Sequence, residues 1–188
     1  MKRKSISAIS IATFMLLSSN SFAGGYFGGS IGKSNPDGSE FKDDTSIKIF
    51  GGYQYSKYLA LEATYVDLGE FDADRDALNQ ISNLSGFTVD SVSIEISGFE
   101  FSVLGFLPVT DNVSIFGRVG IFSWEADMNV SLAGLGSGTE DDDGNDAVFG
   151  LGLNFNVSDG VNLKAEFDRY DAFDGDVDYF GASVAINF

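Results

Sequence analysis

Apolar and polar residues alternate with a period of two along most of this chain. Near its end Phe180, Ala182, Val184, Ile186 and Phe188 are apolar, whereas the residues between them are small or polar. Because successive side chains of a strand point to opposite faces, this pattern predicts a strand with one apolar face. The pattern recurs along the chain and predicts eight strands. They cover approximately residues 25–33, 46–55, 59–65, 91–107, 113–121, 149–157, 161–167 and 180–188.

The connections between these strands fall into two sets. Strands 2 and 3, 4 and 5, and 6 and 7 are joined by short turns such as "SK" at 56–57, whereas strands 1 and 2, 3 and 4, and 5 and 6 are joined by much longer segments. Short turns at one end and long loops at the other are typical of an outer-membrane barrel. An even strand number then leaves both termini on the periplasmic side, with the long loops extracellular.

The face opposite the apolar one separates a membrane barrel from a soluble β-sandwich. A sandwich exposes that face to water, whereas a small barrel encloses it in a lumen where charges need partners. Parity places charges of both signs there, namely Lys48, Glu62, Glu100, Arg118, Lys164, Glu166 and Asp168. Small residues lie beside them, namely Gly52, Gly120, Gly150, Gly152 and Gly181. The sequence therefore predicts an all-β, eight-stranded antiparallel up-and-down transmembrane β-barrel, with a soluble sheet carrying scattered surface charges as the alternative.

One strand breaks the pattern. In the fourth strand Val92, Ile94 and Ile96 have the opposite parity from Phe99 and Phe101. We expect a bulge or bend near residues 97–98, close to a membrane boundary.

The beginning of the chain resembles an export signal. Lys2, Arg3 and Lys4 precede an apolar stretch over residues 6–17, and Ser21 and Ala23 fit a small-x-small cleavage site. We expect residues 1–23 to be a signal peptide and residues 24–188 to form the barrel domain. A membrane-spanning helix is the alternative, but the apolar stretch is short and interrupted by serines. Removing residues 1–23 changes the formal net charge from −17 to −20.

Acidic residues concentrate in the longer connections. The segments are "SNPDGSEFKDD", "EFDADRDALNQISNLSG", "GTEDDDGND" and "DAFDGDVD". Clustered carboxylates favour hard cations, so one interpretation is binding of Ca²⁺ or Mg²⁺ that bridges to anionic lipopolysaccharide. The other is that these are solvated, soluble loops without a specific ligand. Within the second segment, apolar residues near helical spacing predict a short surface helix.

Composition disfavours several classes of function. The chain has no His and no Cys, which removes the common nucleophile–histidine arrangements. The segment "GGYFGGSIG" opens a strand rather than a helix, so it is not a phosphate loop. The large negative charge disfavours nucleic-acid binding. We expect no catalysis, no cofactor and no dedicated metal site.

Several segments carry a family resemblance. "GGYFGGSIG", "LALEATYVDLGEF", "VNLKAEFDRYD" and the terminal "DYFGASVAINF" resemble the OmpA-like transmembrane β-barrel family of Gram-negative bacteria. The resemblance implies an interior of interlocked Glu, Arg and Lys, onto which Glu62, Arg118, Lys164 and Glu166 map. It also implies that the terminal strand ending in Phe188 is the signal for the outer-membrane barrel assembly machinery.

The ends of the strands suggest how such a barrel sits in lipid. Phe188 ends the strand that must pair with the first strand, because closure satisfies backbone groups that lipid cannot. Tyr53, Tyr55, Tyr58 and Phe155 lie near the short turns and would form an aromatic girdle there. The sequence predicts a structural or surface role in the envelope, by lipopolysaccharide contact or adhesion. A narrow pore or small-molecule transport barrel is the alternative.

Overall fold

The computed structural model describes residues 24–36, 43–73, 75–85, 88–132, 136–172 and 175–188. The expected signal peptide, residues 1–23, lies outside the described residues, as do Asp37, Glu40, Asp74 and Asp174 of the acidic segments.

Within the described residues, eight antiparallel strands form a closed barrel in sequence order. The strands are β1 (Gly24–Pro36), β2 (Asp44–Ser56), β3 (Leu59–Asp72), β4 (Val89–Pro108), β5 (Val113–Leu132), β6 (Gly136–Ser158), β7 (Val161–Ala172) and β8 (Gly175–Asn187). Strand β1 pairs with β8 from Tyr26↔Asn187 to Pro36↔Val177, which closes the cylinder. The backbone N–H of Phe188 donates to the Gly25 carbonyl at 2.9 Å. The predicted barrel and its seam are confirmed.

The two ends of the barrel differ. We call the end with the short β2–β3, β4–β5 and β6–β7 connections the turn end, and the opposite end the loop end. At the loop end, between β3 and β4, lies the helix α1 (Arg75–Ser85), which confirms the predicted surface helix. No helix within the described ranges is both long and apolar enough to cross a bilayer.

The two faces of the sheet have opposite chemistry. The outer face carries exposed large apolar residues on every strand, among them Ile49, Phe101, Ile121, Leu151 and Phe180. The inner face carries the buried charged residues. An isolated soluble sheet would not expose so many large apolar side chains, whereas a barrel in lipid must do so. The apolar outer belt therefore faces hydrocarbon.

The expected bulge lies in a different strand. Strand β4 runs without a break in pairing past Ser97 and Gly98, so the prediction for β4 was wrong. The register instead shifts in β3 between Asp67 and Gly69, which lie opposite Ser97 and Ile96 of β4. Gly69 has φ +93°. The parity of Ile94 and Ile96 misled the prediction, because these side chains point inward and are buried.

The inward apolar residues form a cluster at the loop end, which we call the apolar plug. It comprises Val66, Leu68, Phe71, Ile94, Ile96, Phe122, Trp124, Ala126, Val148, Tyr170, Ala172, Val177 and Tyr179. Where the wall crosses the membrane, apolar residues face outward to lipid. Beyond the membrane, at the loop end, the outer face contacts water, so the apolar residues point inward and form a core. This change of environment explains the parity of β4.

The third acidic segment is strand rather than loop. Strand β6 begins at Gly136 and pairs with β5 from Leu132↔Gly136 onward, so "GTEDDDGND" lies within a long paired extension of these two strands. We call residues 123–132 of β5 and 136–145 of β6 the ribbon. Acidic and glycine residues normally disfavour strands, but continuous pairing with β5 imposes the conformation here.

A charged lumen as the candidate functional site

Arg118 lies at the centre of the lumen. Its Nη2 donates to Glu62 Oε1 at 2.6 Å and its Nη1 to Asp168 Oδ2 at 2.9 Å. Its Nε lies 3.4 Å from Glu100 Oε1, and its Nη2 lies 3.4 Å from Glu166 Oε2. All five side chains are buried. One guanidinium therefore contacts carboxylates from β3, β4 and β7, because its planar fork offers five donors in different directions.

Two lysines extend this network. The Lys48 ammonium lies 2.5 Å from Asp168 Oδ2 and 3.5 Å from the centre of the Tyr179 ring. The Lys164 ammonium donates to Glu62 Oε2 at 3.0 Å and lies 4.1 Å from the centre of the Phe50 ring. Each ammonium thus has both a carboxylate and an aromatic face, and the two together replace part of its lost hydration.

Hydroxyl groups donate further hydrogen bonds to three of the four buried carboxylates. Tyr26 donates to Glu62 at 2.9 Å, Tyr170 donates to Glu100 at 2.8 Å, and Ser30 donates to Glu166 at 2.7 Å. Sequence reasoning did not assign these three residues to the site. The signal was available, because each has the inward parity of its strand.

The structure brings together in the lumen all seven charged residues that parity placed inward. Asp168 is the shared partner of Lys48 and Arg118. Within the described residues, the lumen buries three cations and four carboxylates. Buried ion pairs give little net stability over apolar packing, but removing one partner leaves an uncompensated charge at a large cost.

Glycines make room for this network. A Cβ on Gly150 would clash with the Asp168 carboxylate, and a Cβ on Gly152 would lie 2.6 Å from the Phe116 ring. These inward glycines therefore occupy the space beside long or aromatic side chains. Interior width, rather than backbone conformation, explains their residue type.

Apolar side chains cover the network on both sides along the barrel axis. The apolar plug lies at the loop end, and a second cluster lies at the turn end. The turn-end cluster comprises Tyr26, Phe50, Ala60, Leu104, Phe116 and Ala185. A cavity of about 20 Å³ next to Tyr26 and Lys164 at the turn end has room for roughly one water. The lumen is therefore packed rather than open.

The described residues provide no enclosed metal site. In the part of the chain that the structure describes, no three or more His, Cys, Asp or Glu residues are placed to hold an ion together.

A closed eight-stranded barrel with an apolar outer belt and a buried charged lumen defines a small outer-membrane barrel protein. A family model described as the OmpA-like transmembrane domain matches residues 20–174. The chain belongs to this family. The relatives that it matches are outer-membrane proteins, and this chain is accordingly an outer-membrane β-barrel.

Individual relatives agree with this placement. The chain is 28% identical over 144 residues to outer membrane protein A of Klebsiella pneumoniae, covering 76% of this chain but 38% of that relative. It spans little more than a third of the curated relatives it matches.

Among solved structures, Neisserial surface protein A matches with a TM-score of 0.59 at 14% identity, over 90% of this chain and 98% of that one. The attachment invasion locus protein of Yersinia pestis matches with a TM-score of 0.54 at 14% identity, over 88% and 97%. At such identities these structures show a shared fold.

Proposed function

We propose that this protein is a structural and surface component of the outer membrane whose lumen is closed to solutes. The observation that carries the proposal is the contact of the Arg118 guanidinium with four buried carboxylates. A guanidinium held in this way blocks the axis, and the apolar plug above it excludes water. Passage of an ion would require both to rearrange.

Planar-bilayer recording tests the closed lumen. We expect the protein to add no steady conductance to a bilayer, and we expect Glu62→Gln to behave the same way. Steady conductance in the unsubstituted protein that shifts on replacing Arg118 or Glu62 would instead support the narrow-pore alternative. A matched control is Arg169→Gln, since Arg169 pairs with Asp178 on the exposed surface and lies outside the lumen.

The proposed orientation places the turn end and both termini in the periplasm and the ribbon outside the cell. Short periplasmic turns and longer external loops are the general rule for such barrels, and this chain has that asymmetry. Because the chain has no Cys, single thiols can be introduced cleanly. A thiol at Ser137 should react with a membrane-impermeant maleimide on whole cells, whereas one at Asp159 should not. The reverse labelling would overturn the orientation.

An acidic row supports the proposed contact with lipopolysaccharide. Glu70, Glu95, Asp127 and Asp141 lie directly opposite one another across β3, β4, β5 and β6. All four are exposed on the outer face above the Tyr65–Phe99 aromatic pair. Divalent cations between these carboxylates and lipid phosphates would offset the repulsion between two anionic surfaces.

Thermal unfolding in lipopolysaccharide-containing liposomes tests this contact. We expect added Mg²⁺ to raise the melting temperature, and the double variant Glu95→Gln/Asp127→Asn to lose most of that increase. The control is Asp111→Asn/Asp159→Asn, which removes the same charge at the turn end. An equal response in both variants would show a general ionic effect and would contradict the contact.

A further inference from the structure

One edge of the ribbon is unpaired. Strand β6 pairs with β5 from Gly136 to Phe155, but its pairing with β7 begins only at Val148↔Tyr170. On the other side of the ribbon, β5 is paired with β4 as far as Val89↔Leu132. Among the described residues, the stretch 136–147 of β6 therefore has one strand neighbour. This stretch is the free edge.

A free edge carries unused backbone hydrogen-bonding groups. In an antiparallel pair, every second residue of an edge strand directs its N–H and C=O away from its neighbour. Residues 136–143 are all exposed, so no other described part of the chain covers these groups. Such an edge is a template for one more strand.

Contacts with Trp124 fix the base of the free edge, so the edge is preorganised as an extended strand. The Trp124 Nε1 donates to Asp146 Oδ2 at 2.7 Å. A Cβ on Gly144 would lie 2.6 Å from the Trp124 ring, so the ring packs closely against β6 at this point. Trp124 also belongs to the buried apolar plug. The base of the ribbon is therefore packed onto the apolar plug.

The free edge carries the same sign of charge on both faces. Asp141 and Asp143 share the outer face with Ser137 and Thr139, whereas Glu140 and Asp142 lie on the opposite face. A second copy pairing at this edge would bring acids against acids, which disfavours self-association. A strand with Lys or Arg on both faces would instead place cations beside all four carboxylates.

We propose that the free edge of β6, residues 136–147, binds an extended Lys/Arg-rich segment of a partner protein by adding it to the sheet. Backbone hydrogen bonds provide the docking, and Glu140, Asp141, Asp142 and Asp143 select the cationic sequence. This inference rests on the proposed surface role and names the class of partner for it.

The test uses the purified full chain in detergent micelles and a blocked peptide, Thr-Val-Thr-Lys-Lys-Lys-Lys-Thr-Val-Thr. We expect saturable binding by fluorescence anisotropy, together with slowed amide exchange of alternate residues in the free edge. Two further peptides carry N-methyl groups on either the odd or the even residues. Since a docked strand turns only one set of amides toward its partner, one methylated peptide should lose binding and the other should keep most of it.

Charge variants separate selection from general attraction. Neutralising Glu140, Asp141, Asp142 and Asp143 to their amides should weaken binding by about tenfold or more, because each exposed pair contributes a modest amount. The control neutralises Asp43, Asp72, Asp111 and Asp159, which are exposed and lie outside β5 and β6, and it should bind within about twofold of the unsubstituted chain.

Three results would overturn the proposal. These are no binding, equal affinity of the two methylated peptides, or equal loss in the two charge variants. Pairing of two copies through this edge, seen as a dimer whose free-edge amides are protected without peptide, would also contradict it. Because these measurements use isolated protein, they stand apart from the conductance and whole-cell labelling tests of the proposed function.

Discussion

Glu62 and Arg118 lie two strands apart around the barrel, on β3 and β5, and their side chains meet across the lumen at 2.6 Å. Neither strand pairs with the other, so only inward projection into a closed cylinder can bring these groups together. The contact therefore links the period-two pattern of the sequence to the packed interior. It also makes the stability of the barrel sensitive to single charges.

Replacing Arg118 by Met should strongly destabilise the barrel. The substitution keeps much of the side-chain volume but leaves four buried carboxylates with two lysines. Breaking a buried ion network in this way costs about 3–5 kcal/mol. Urea-induced unfolding in lipid vesicles measures this change in the free energy of unfolding. The readout is the loss of heat-modifiable migration on gels.

The control is Arg169→Met. Arg169 is 48% exposed and forms a two-point pair with Asp178, so its loss should cost at most about 1 kcal/mol. Equal destabilisation by the two substitutions would contradict a special role of the lumen network.

Inward and outward glycines should respond differently to an added methyl group. Gly152→Ala would push against the Phe116 ring and a neighbouring carbonyl, and overpacking of this kind costs about 1–3 kcal/mol. Gly105 faces outward with nothing within 4 Å of a Cβ. Gly105→Ala should leave the free energy of unfolding unchanged or raise it by up to about 1 kcal/mol. If Gly152→Ala were equally tolerated, the lumen would be looser than the structure indicates.

Parity predicted the transmembrane part of the fold correctly. Where the wall crosses lipid, outward residues must be apolar and inward ones must fill a narrow lumen, so the two faces differ sharply. The positions of Lys48, Glu62 and Arg118 follow from that difference alone. Their partners could not be assigned from the sequence, because partner choice depends on barrel stagger and on rotamers.

Parity failed where the barrel leaves the membrane. Ile94 and Ile96 look outward-facing by their chemistry, yet they are buried in the apolar plug because water replaces lipid outside. The acidic stretch from Glu140 to Asp143 looks like a loop by composition, yet pairing with β5 extends it. Both errors arise because the rule for which face is apolar changes with the surrounding solvent.

The ribbon should be more ordered in acid than at neutral pH. Asp127 and Asp141 pair directly across it, and Glu95 faces Asp127 from β4. Loss of hydration, a hydrogen bond shared with Asp141 and the charge of Asp141 raise the pKa of Asp127. Because the pKa of Asp127 is raised in the folded ribbon, protonated Asp127 stabilises the ribbon, and this contribution is complete below the ordinary aspartate pKa. That contribution is lost as pH rises through the raised value.

Amide exchange of the ribbon as a function of pH measures this effect. The fluorescence of Trp124, the single Trp of the chain, provides a second probe at the base of the ribbon. Asp127→Asn should remove the pH-dependent step, whereas Asp72→Asn should retain it. A step that persists in Asp127→Asn would assign the titration to another carboxyl.

Phe188 should matter more for assembly in cells than for stability. Its ring lies 6.2 Å from that of Phe27, on the exposed outer face of the seam. Phe188→Ala should lower the amount of barrel in the outer membrane of cells while leaving refolding into liposomes nearly unchanged, because the β1–β8 pairing remains. Phe180→Ala, which removes a similar exposed ring within β8, is the control. Equal assembly yields of the two variants would contradict a signal at Phe188.

The central claim is that each strand turns its apolar face to lipid and its other face to a closed interior. Ile121 is 61% exposed, whereas the adjacent Phe122 is fully buried. Because the chain has no Cys, a Cys introduced at either position is its single thiol. The most direct test places a nitroxide on Ile121→Cys and measures maleimide reactivity of Phe122→Cys, both in liposomes. We expect oxygen but not a water-soluble nickel complex to relax the nitroxide, and the Phe122→Cys thiol to react only after unfolding. Relaxation of the nitroxide by nickel, or rapid reaction of the Phe122→Cys thiol in the folded barrel, would contradict the account.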